Sequence, residues 1–248
     1  PMHVKRVLVT GSSRGIGRAI ALKLSQSGWQ VAIHGTEVGT ELQMTRDLLG
    51  GACAGVYATD LNHPGSADAL IDRALDAGPL HALVNNAGVY QPLSFTESSD
   101  REFEDAFQSM FRVNFESPLR LTRRISRYFG ANEGGKVLNV ASRVGFRGEP
   151  GAALYAASKA ALINLTRSLA VELAPKGIGI FGIAPGWVDT AMVRDGMEER
   201  LPTILESIPL GRMASPEDCA HTAAFLLGDE AAYLSGVVID INGASYFH

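Results

Sequence analysis

A tyrosine, a lysine and a serine form the group of residues in this sequence with the clearest capacity for chemistry. Tyr155 and Lys159 are four residues apart, and Ser142 precedes the tyrosine by 13 positions. Residues four apart on a helix lie on the same face, one turn from each other. A phenol has a pKa of about 10, and a nearby ammonium group lowers that pKa by favouring the ionised form. The pattern therefore predicts a phenol that exchanges a proton with a substrate oxygen, which the Ser142 hydroxyl would hold.

A glycine-rich turn near the start of the sequence predicts a binding site for a dinucleotide. Residues 7–10 form an apolar run typical of a buried parallel strand, and residues 18–24 carry apolar side chains at helical spacing. Between them lie Gly11, Gly15 and Gly17, in the spacing G-x-x-x-G-x-G rather than the general G-x-G-x-x-G. Glycines let such a turn approach a pyrophosphate closely, and the following helix N-terminus attracts phosphate groups. The order strand, glycine turn, helix favours this reading over an ordinary loop.

The rest of the sequence alternates between strand-like and helical segments. Further strands are predicted at residues 31–33, 55–59, 80–84, 136–140, 178–183 and 237–241. Helices are predicted at residues 41–49, 67–75, 100–127 with a break near Pro118, 154–173, and from Ser215 onward. Such alternation predicts right-handed crossovers and a parallel sheet, in which ligands bind beyond the carboxyl ends of the strands. Candidate site residues directly follow five of these strand ends, so we expect them to share one crevice: Gly11, Asp60, Asn86, Ser142 and Pro185.

The segment from residue 191 to residue 210 interrupts this alternation. We interpret it as a mobile lid over the substrate, with a plain connecting pair of helices as the alternative.

The motifs together resemble those of the short-chain dehydrogenase/reductase family, and are closest in pattern to its 3-oxoacyl-acyl-carrier-protein reductase-like members. The matching segments keep their order and spacing from Lys5 to Gly243: Thr10–Gly17, Asn85–Gly88, the set Asn114, Ser142, Tyr155 and Lys159, and Pro185, Gly186 and Thr190. The resemblance implies one catalytic domain over residues 1–248. Its implied α/β fold is a single Rossmann-type doubly wound parallel sheet of about seven strands with helices on both faces.

The resemblance also implies reversible hydride transfer between a nicotinamide cofactor and a carbonyl or alcohol carbon. Tyr155 would be the acid in reduction and the base in oxidation, and Lys159 would lower its pKa and bind the nicotinamide ribose. Asn114 would maintain a water relay from Lys159 to solvent. The cofactor-binding residues would be Gly11, Ser13, Arg14, Gly15, Ile16, Gly17, Thr36, Asp60, Leu61, Asn86, Ala87, Gly88, Tyr155, Lys159, Pro185, Gly186, Val188 and Thr190.

Three of these residues also have ordinary structural interpretations. Asp60 could only cap a turn at a strand end, and Asn86 could bridge neighbouring strands. Thr190 could be the N-cap of the following helix.

The residues after the second strand indicate which nicotinamide cofactor binds. NAD sites place an acid there, whereas NADP sites avoid one and offer positive charge. Here the strand ends in His34, Gly35 and Thr36, and Arg14 in the glycine turn suits a phosphate. We therefore predict NADP(H), although the nearby Glu37 keeps NAD possible.

Composition narrows the remaining classes of function. The chain has 248 residues, 46% of them hydrophobic, and a formal net charge of −4, which gives no basic field for nucleic acid. No run of 18 apolar residues indicates a membrane span, and the start leads directly into the first strand without the apolar core of a secretory signal. The two cysteines, Cys53 and Cys219, and the six histidines form no ligand pattern, so no metal is predicted. A cytoplasmic protein is expected.

The substrate is expected to be a small-molecule or acyl-carrier-bound carbonyl compound. An NAD-dependent alcohol, sugar or steroid dehydrogenase is the alternative. A non-catalytic dinucleotide sensor is disfavoured because it would not need the phenol and ammonium pair, and the extended epimerases and dehydratases are longer. The basic residues Arg123, Arg124 and Arg127 could face a carrier protein or simply solvent. The expected pocket residues are Tyr90, Val144, Phe146 and Trp187, although Phe146 and Trp187 could equally be core residues.

The final residues, 244–248, are compatible with more than one oligomeric state. Tyr246 and Phe247 could pack against a second subunit, which would suit a homotetramer or homodimer. They could equally fold back on their own domain.

Overall fold

The centre of the protein is a parallel sheet of seven strands. The computed structural model describes residues 4–194 and 199–248. In this part of the chain the strand order is β3-β2-β1-β4-β5-β6-β7. The strands are β1 Arg6–Val9, β2 Gln30–Gly35, β3 Cys53–Ala58, β4 Ala82–Asn85, β5 Gly135–Val140, β6 Ile178–Pro185 and β7 Val238–Ile241. β1 pairs in parallel with both β2 and β4, and the strand order reverses between β1 and β4, so the predicted doubly wound sheet is confirmed.

Helices cover both faces of the sheet. They are α1 Gly15–Gln26, α2 Thr40–Leu49, α3 Ser66–Asp76, α4 Asp100–Phe111, α5 Ser117–Gly130, α6 Ala153–Leu173, α7 Ala191–Arg194, α8 Leu201–Glu206 and α9 Pro216–Leu227. Side chains alternate between the two faces along each strand. Val7 and Val9 accordingly pack with residues of α1 and α9, whereas Leu8 packs with residues of α3, α5 and α6. This double burial explains why the strands are continuously apolar.

The long helical region after β4 is broken, but not at its proline. Residues Arg112–Glu116 form one π-helical turn between α4 and α5. Pro118 lies in the first turn of α5, where a missing N–H removes no helical hydrogen bond. The predicted break is therefore present, but it lies about one turn before Pro118, the residue from which it was predicted.

The segment predicted as a lid contains α7 and α8, with residues 195–198 outside the described residues. Its role stays a prediction. Within residues 4–194 and 199–248, no helix combines the length and apolar character needed to cross a bilayer.

Candidate functional site

The glycine turn after β1 has a shape that only glycine permits at two positions. Gly11 has φ +61°, and a Cβ atom there would lie 2.7 Å from Cα of Ala87. A Cβ on Gly17 would lie 2.2 Å from the carbonyl oxygen of Gly11. The turn is held to the next strand by Asn86, whose Nδ2 donates to the carbonyl oxygens of Thr10 and Gly11 at 3.0 and 2.9 Å. Asn86 therefore bridges strand ends, as its structural interpretation predicted.

Helix α1 begins without a side-chain cap. Its N-cap residue, Arg14, has an extended backbone and makes no capping hydrogen bond. The Arg14 side chain is exposed and forms no hydrogen bond or ion pair among the described residues. The helix therefore offers uncapped N–H groups, a positive dipole end and an unpaired guanidinium at one place. This donor set and the close glycine turn fit the pyrophosphate of a dinucleotide.

His34, at the end of β2, was not predicted as a site residue, yet it supports the glycine turn. Its Nδ1 accepts a hydrogen bond from the Gly11 N–H at 3.1 Å, and its Nε2 lies 2.9 Å from the Thr59 carbonyl oxygen. Because a carbonyl only accepts, Nε2 carries the proton and the ring is neutral. Burial lowers the His34 pKa to about 4, in agreement with this arrangement. A histidine within an apolar strand was the available sequence signal.

The other residues near the predicted adenosine end make local contacts. Asp60 accepts a hydrogen bond from the Asn62 N–H at 2.9 Å, which is the turn-capping role considered as its alternative. Thr36 is exposed. A Cβ on Gly39 would lie 3.3 Å from Oε1 of Glu37, so that carboxylate lies over its own loop.

The Asn85 side chain joins two strands beneath the site. Its Nδ2 donates to Oδ1 of Asn139 on β5 at 2.8 Å and to the Thr122 hydroxyl at 3.0 Å. Asn139 in turn donates to the Thr166 hydroxyl on α6 at 2.9 Å. Buried polar side chains require such partners. This network links β4, β5, α5 and α6, and it was missed from the sequence apart from Asn85.

Ser142, Tyr155 and Lys159 come together at the carboxyl end of β5. The Ser142 hydroxyl acts on the Tyr155 phenol, whose pKa it lowers. Lys159 is buried, its Nζ donates to the Val140 carbonyl oxygen at 2.9 Å, and it lies 5.7 Å from the centre of the Tyr155 ring. Burial lowers the Lys159 pKa to about 8. The predicted trio is therefore adjacent, with the lysine tied to the end of β5.

The predicted direction of the Tyr155 pKa is wrong for this state of the protein. Burial raises the pKa of Tyr155 to about 12, and the hydrogen bond from Ser142 opposes that change only in part. The charges of Tyr90 and Glu149 raise it further. Lys159 fails to reverse the effect because its own ammonium is buried and bonded to Val140. A phenol with this pKa remains protonated at neutral pH, ready to donate.

Asn114 lies in the π-helical turn, fully buried, and contacts two other segments. Its Nδ2 donates to the Val89 carbonyl oxygen at 2.9 Å and to the Ser158 hydroxyl at 3.2 Å. The Ser158 hydroxyl donates to the Tyr155 carbonyl oxygen at 2.7 Å. Single π turns are frequent at functional sites. Asn114 thereby connects the loop after β4 to the helix that carries Tyr155.

The two halves of the crevice meet at Gly88. A Cβ there would lie 3.4 Å from Oδ1 of Asn114 and 3.5 Å from Nζ of Lys159. The methyl Cγ2 of Thr190 lies 3.5 Å from a Cβ built on Gly15. The segment after β6 thus reaches the glycine turn, as the strand-end argument predicted. The Thr190 carbonyl accepts from the Arg194 N–H at 3.0 Å, the first hydrogen bond of α7.

The segment of residues 244–248 folds back on its own domain. The Tyr246 hydroxyl donates to the Phe146 carbonyl oxygen at 3.1 Å, and the His248 ring stacks on Phe146 with centroids 3.7 Å apart. Phe247 remains 78% exposed. Of the two placements considered from the sequence, the structure has the intramolecular one for Tyr246.

Cavity size does not locate this crevice. A groove of about 770 Å³ lies at the opposite end of the sheet, lined by residues that include Trp29, His221 and Phe225. Among the described residues, no three His, Cys, Asp or Glu side chains are grouped as metal ligands would be. Cys53 and Cys219 are free thiols. The site is therefore assigned from converging strand ends and donor chemistry.

Comparison with known proteins agrees with this geometry. A family model described as enoyl-(acyl carrier protein) reductase matches residues 11–244. The 3-oxoacyl-[acyl-carrier-protein] reductase of Escherichia coli is 35% identical over 243 residues, which cover 98% of this chain and 97% of the relative. The Vibrio cholerae protein of the same name is 36% identical over 244 residues, with 98% and 97% covered.

The chain belongs to the short-chain dehydrogenase/reductase family. It is an oxidoreductase that uses a nicotinamide cofactor, NAD or NADP.

Solved structures give the same family. A putative short-chain alcohol dehydrogenase from Sinorhizobium meliloti 1021 superposes on the enzyme with a TM-score of 0.90 and 31% identity, covering 97% of this chain and 96% of the other. A putative NAD(P) dependent gluconate 5-dehydrogenase from Beutenbergia cavernae, with bound NADP at low occupancy, has a TM-score of 0.89 and 32% identity, with 97% and 96% covered.

Proposed function

We propose that the enzyme uses NADPH to reduce the 3-oxo carbonyl group of an acyl thioester, as an acyl-carrier-bound or small-molecule substrate. The observation that carries this proposal is the grouping of Ser142, Tyr155 and Lys159 at the carboxyl end of β5, in a crevice that also contains the glycine turn. A protonated phenol and a hydroxyl aimed at one place suit a substrate oxygen that gains negative charge during reduction.

The roles of the side chains follow from their contacts. When bound, the nicotinamide supplies the hydride. Ser142 donates a hydrogen bond to the substrate oxygen, and Tyr155 donates its phenolic proton to the same oxygen. Lys159, whose lowered pKa of about 8 lets it both hold and release a proton, restores the proton of Tyr155. Asn114 is a positioning residue that fixes the helix turn carrying Tyr155 through Ser158.

The state of Tyr155 favours the direction of reduction. Alcohol oxidation requires the phenolate as a base, and a pKa of about 12 leaves that form scarce at neutral pH. Ketone reduction requires the phenol, which is the resting form. The relatives described above, which are 3-oxoacyl-[acyl-carrier-protein] reductases, support the reductase over the NAD-dependent alcohol, sugar or steroid dehydrogenase.

The preference for NADP(H) rests on charge at the two sides of the adenosine end. Arg14 is exposed and unpaired among the described residues, which suits a 2′-phosphate. Thr36, the first residue after β2, is also exposed. Glu37, the residue that kept NAD open, lies over Gly39.

Calorimetric titration with NADPH and then NADH tests this preference. Arg14→Gln should weaken NADPH binding about 10- to 100-fold, since a hydrogen bond to a charged group contributes roughly 1.5–3 kcal/mol, and should leave NADH binding unchanged. Arg101→Gln is the matched control, because that exposed arginine contacts only Asp105 on its own helix, at 3.8 Å. Tighter binding of NADH by the unaltered enzyme would contradict the preference.

The proposed assembly is a homotetramer or homodimer in the cytoplasm. Three large apolar side chains near the end of α9 are exposed, namely Phe225 at 50%, Tyr233 at 103% and Leu234 at 40%. The two free thiols suit a reducing compartment. Light scattering should give a mass of at least two chains, and a monomer at micromolar concentration would contradict the assembly.

A carrier protein and a lid complete the proposal. Arg123 and Arg127 on α5 are exposed, whereas Arg124 pairs with Asp72 at 2.7 Å, so two of the three basic residues are available to an acidic carrier.

Residues 191–210 would close over the bound substrate. Protection of this segment from protease by cofactor and substrate together would support closure, and unchanged cleavage would oppose it.

A further inference from the structure

Arg143 is a buried cation next to the proposed reacting groups. It directly follows Ser142 in sequence and is 5% exposed. One terminal nitrogen, Nη1, donates to the Ser245 hydroxyl at 3.1 Å, and the other, Nη2, lies 3.3 Å from Oε2 of Glu149. The guanidinium lies 5.6 Å from the centre of the Trp187 ring. It therefore borders three segments: the loop after β5, the loop after β6 and residues 244–248.

The charge of Arg143 is incompletely satisfied by these partners. Its Nε–H is buried and has no hydrogen-bond partner within residues 4–194 and 199–248. A buried charged group that lacks partners is costly, and nearly all such groups in folded proteins are paired. Burial lowers the Arg143 pKa, with the Glu149 carboxylate acting against that change. An additional oxygen ligand would relieve this cost.

The ion pair of Arg143 and Glu149 lies within electrostatic reach of the phenols in the crevice. The Glu149 charge raises the pKa of Tyr155 and also that of Tyr90, whose rings meet edge to face with centroids 5.0 Å apart. Arg143 directly follows Ser142, and its guanidinium lies 5.6 Å from the centre of the Trp187 ring, one of the pocket residues predicted from the sequence. The ion pair therefore adjoins the place where the groups next to a bound carbonyl would lie.

We infer that Arg143 is a specificity-determining residue, which binds a second substrate oxygen close to the reacting carbonyl after a small shift of the guanidinium away from Glu149. The chemical class is the 1,3-dicarbonyl compound: a 3-oxoacyl thioester or a 3-oxo acid is preferred over an alkyl ketone of equal length. This inference rests on the proposed function and adds the residue that distinguishes these substrates.

The test compares two substrates in three enzymes. We would measure kcat/KM with NADPH for an acetoacetyl thioester of a small thiol and for a methyl alkyl ketone of equal length, in the unaltered enzyme, Arg143→Met and Arg143→Lys. Arg143→Met should lose about 10- to 100-fold on the thioester, the factor for a hydrogen bond to a charged group, and should change little on the ketone. Arg143→Lys should recover part of the loss. Equal losses on both substrates would overturn the inference, because they indicate a purely structural role.

Two further variants separate binding from folding. Ser245→Ala removes only the contact with residues 244–248, and it should leave the substrate preference unchanged. If it reproduces Arg143→Met, Arg143 acts by tethering that segment and the inference is wrong. Glu149→Gln removes the competing carboxylate, so the KM for the 3-oxo acid anion should fall, and a rise would oppose the inference even where Arg143→Met does not fold.

The outcomes also distinguish this inference from the proposed function. An unaltered enzyme that reduces neither substrate with either cofactor contradicts the proposed function. An enzyme that reduces both, with a ratio of kcat/KM that no Arg143 variant alters, contradicts the specificity role alone.

Discussion

The side chain of Asn114 and the main chain of Val89 form a two-way hydrogen-bonded pair. Oδ1 of Asn114 accepts from the Val89 N–H at 2.8 Å, and Nδ2 donates to the Val89 carbonyl oxygen at 2.9 Å. The Asn114 amide thus makes with Val89 the two main-chain hydrogen bonds that a neighbouring strand would otherwise make. Because the same Nδ2 also contacts Ser158, this pair couples the cofactor side of the crevice to the helix turn of Tyr155.

We expect Asn114→Ala to reduce both stability and turnover. The substitution leaves the Val89 N–H and carbonyl without their partner, and unsatisfied buried groups cost about 1–3 kcal/mol each. The free energy of unfolding in urea should fall by about 2 kcal/mol or more. Asn164→Ala, at an exposed position of α6, is the control and should stay within about 0.5 kcal/mol. An Asn114→Ala protein as stable as the control would show that water replaces the amide.

Gly17→Ala should abolish cofactor binding. The new Cβ would lie 2.2 Å from the Gly11 carbonyl oxygen, which is backbone and cannot move without opening the turn. Gly51→Ala is the matched control, because nothing lies within 4 Å of its Cβ position. Calorimetry with NADPH should show no binding for the first and unchanged binding for the second. Retained binding by Gly17→Ala would mean that the turn is not the phosphate site.

His34 should make the protein sensitive to acid. Its folded pKa of about 4 is below the ordinary histidine value of 6.5, so between these values the unfolded chain binds more protons and stability falls as pH falls. Protonation would also place an N–H at Nδ1 against the N–H of Gly11. His34→Gln, whose amide can accept and donate without titrating, should remove this contribution. Unfolding measured across this pH range checks the slope, and an identical slope in both proteins would contradict it.

Lys159, like His34, should make the free energy of unfolding increase as pH rises, but in the alkaline range. Its folded pKa of about 8 lies below the ordinary lysine value of 10.5, so its contribution to stability increases as pH rises between these values. Tyr155 opposes it from pH 10 to about 12, because its pKa is raised. Lys159→Met should therefore flatten the pH dependence of unfolding between about 8 and 10. If the pH dependence of unfolding is unchanged in Lys159→Met, other titrating groups cause it and the prediction is wrong.

The sequence predicted the sheet well because its strands are buried on both faces. Runs such as residues 31–33 and 178–183 have no polar side chain, and that pattern is local. The convergence of Ser142, Tyr155 and Lys159 also followed from local spacing and strand ends. The site roles themselves stay predictions.

Properties that depend on distant contacts could not be predicted in the same way. The sign of the Tyr155 pKa shift was wrong because burial outweighs a lysine one turn away. Arg143 donates to Ser245, which lies 102 positions later in the sequence. The Tyr246 hydroxyl donates to the carbonyl oxygen of Phe146, 100 positions earlier. Asn114 lies in the π turn and accepts a hydrogen bond from Val89, which is 25 positions earlier.

The proton donor is the central claim, and Tyr155→Phe tests it most directly. The variant keeps the ring and lacks the hydroxyl, so NADPH affinity measured by calorimetry should remain within a few-fold of the unaltered enzyme. Turnover of an acetoacetyl thioester, followed by the absorbance of NADPH, should fall by about 10²- to 10⁴-fold, the usual contribution of general acid catalysis. A Tyr155→Phe enzyme that binds NADPH and reduces the thioester at the unaltered rate would contradict the account.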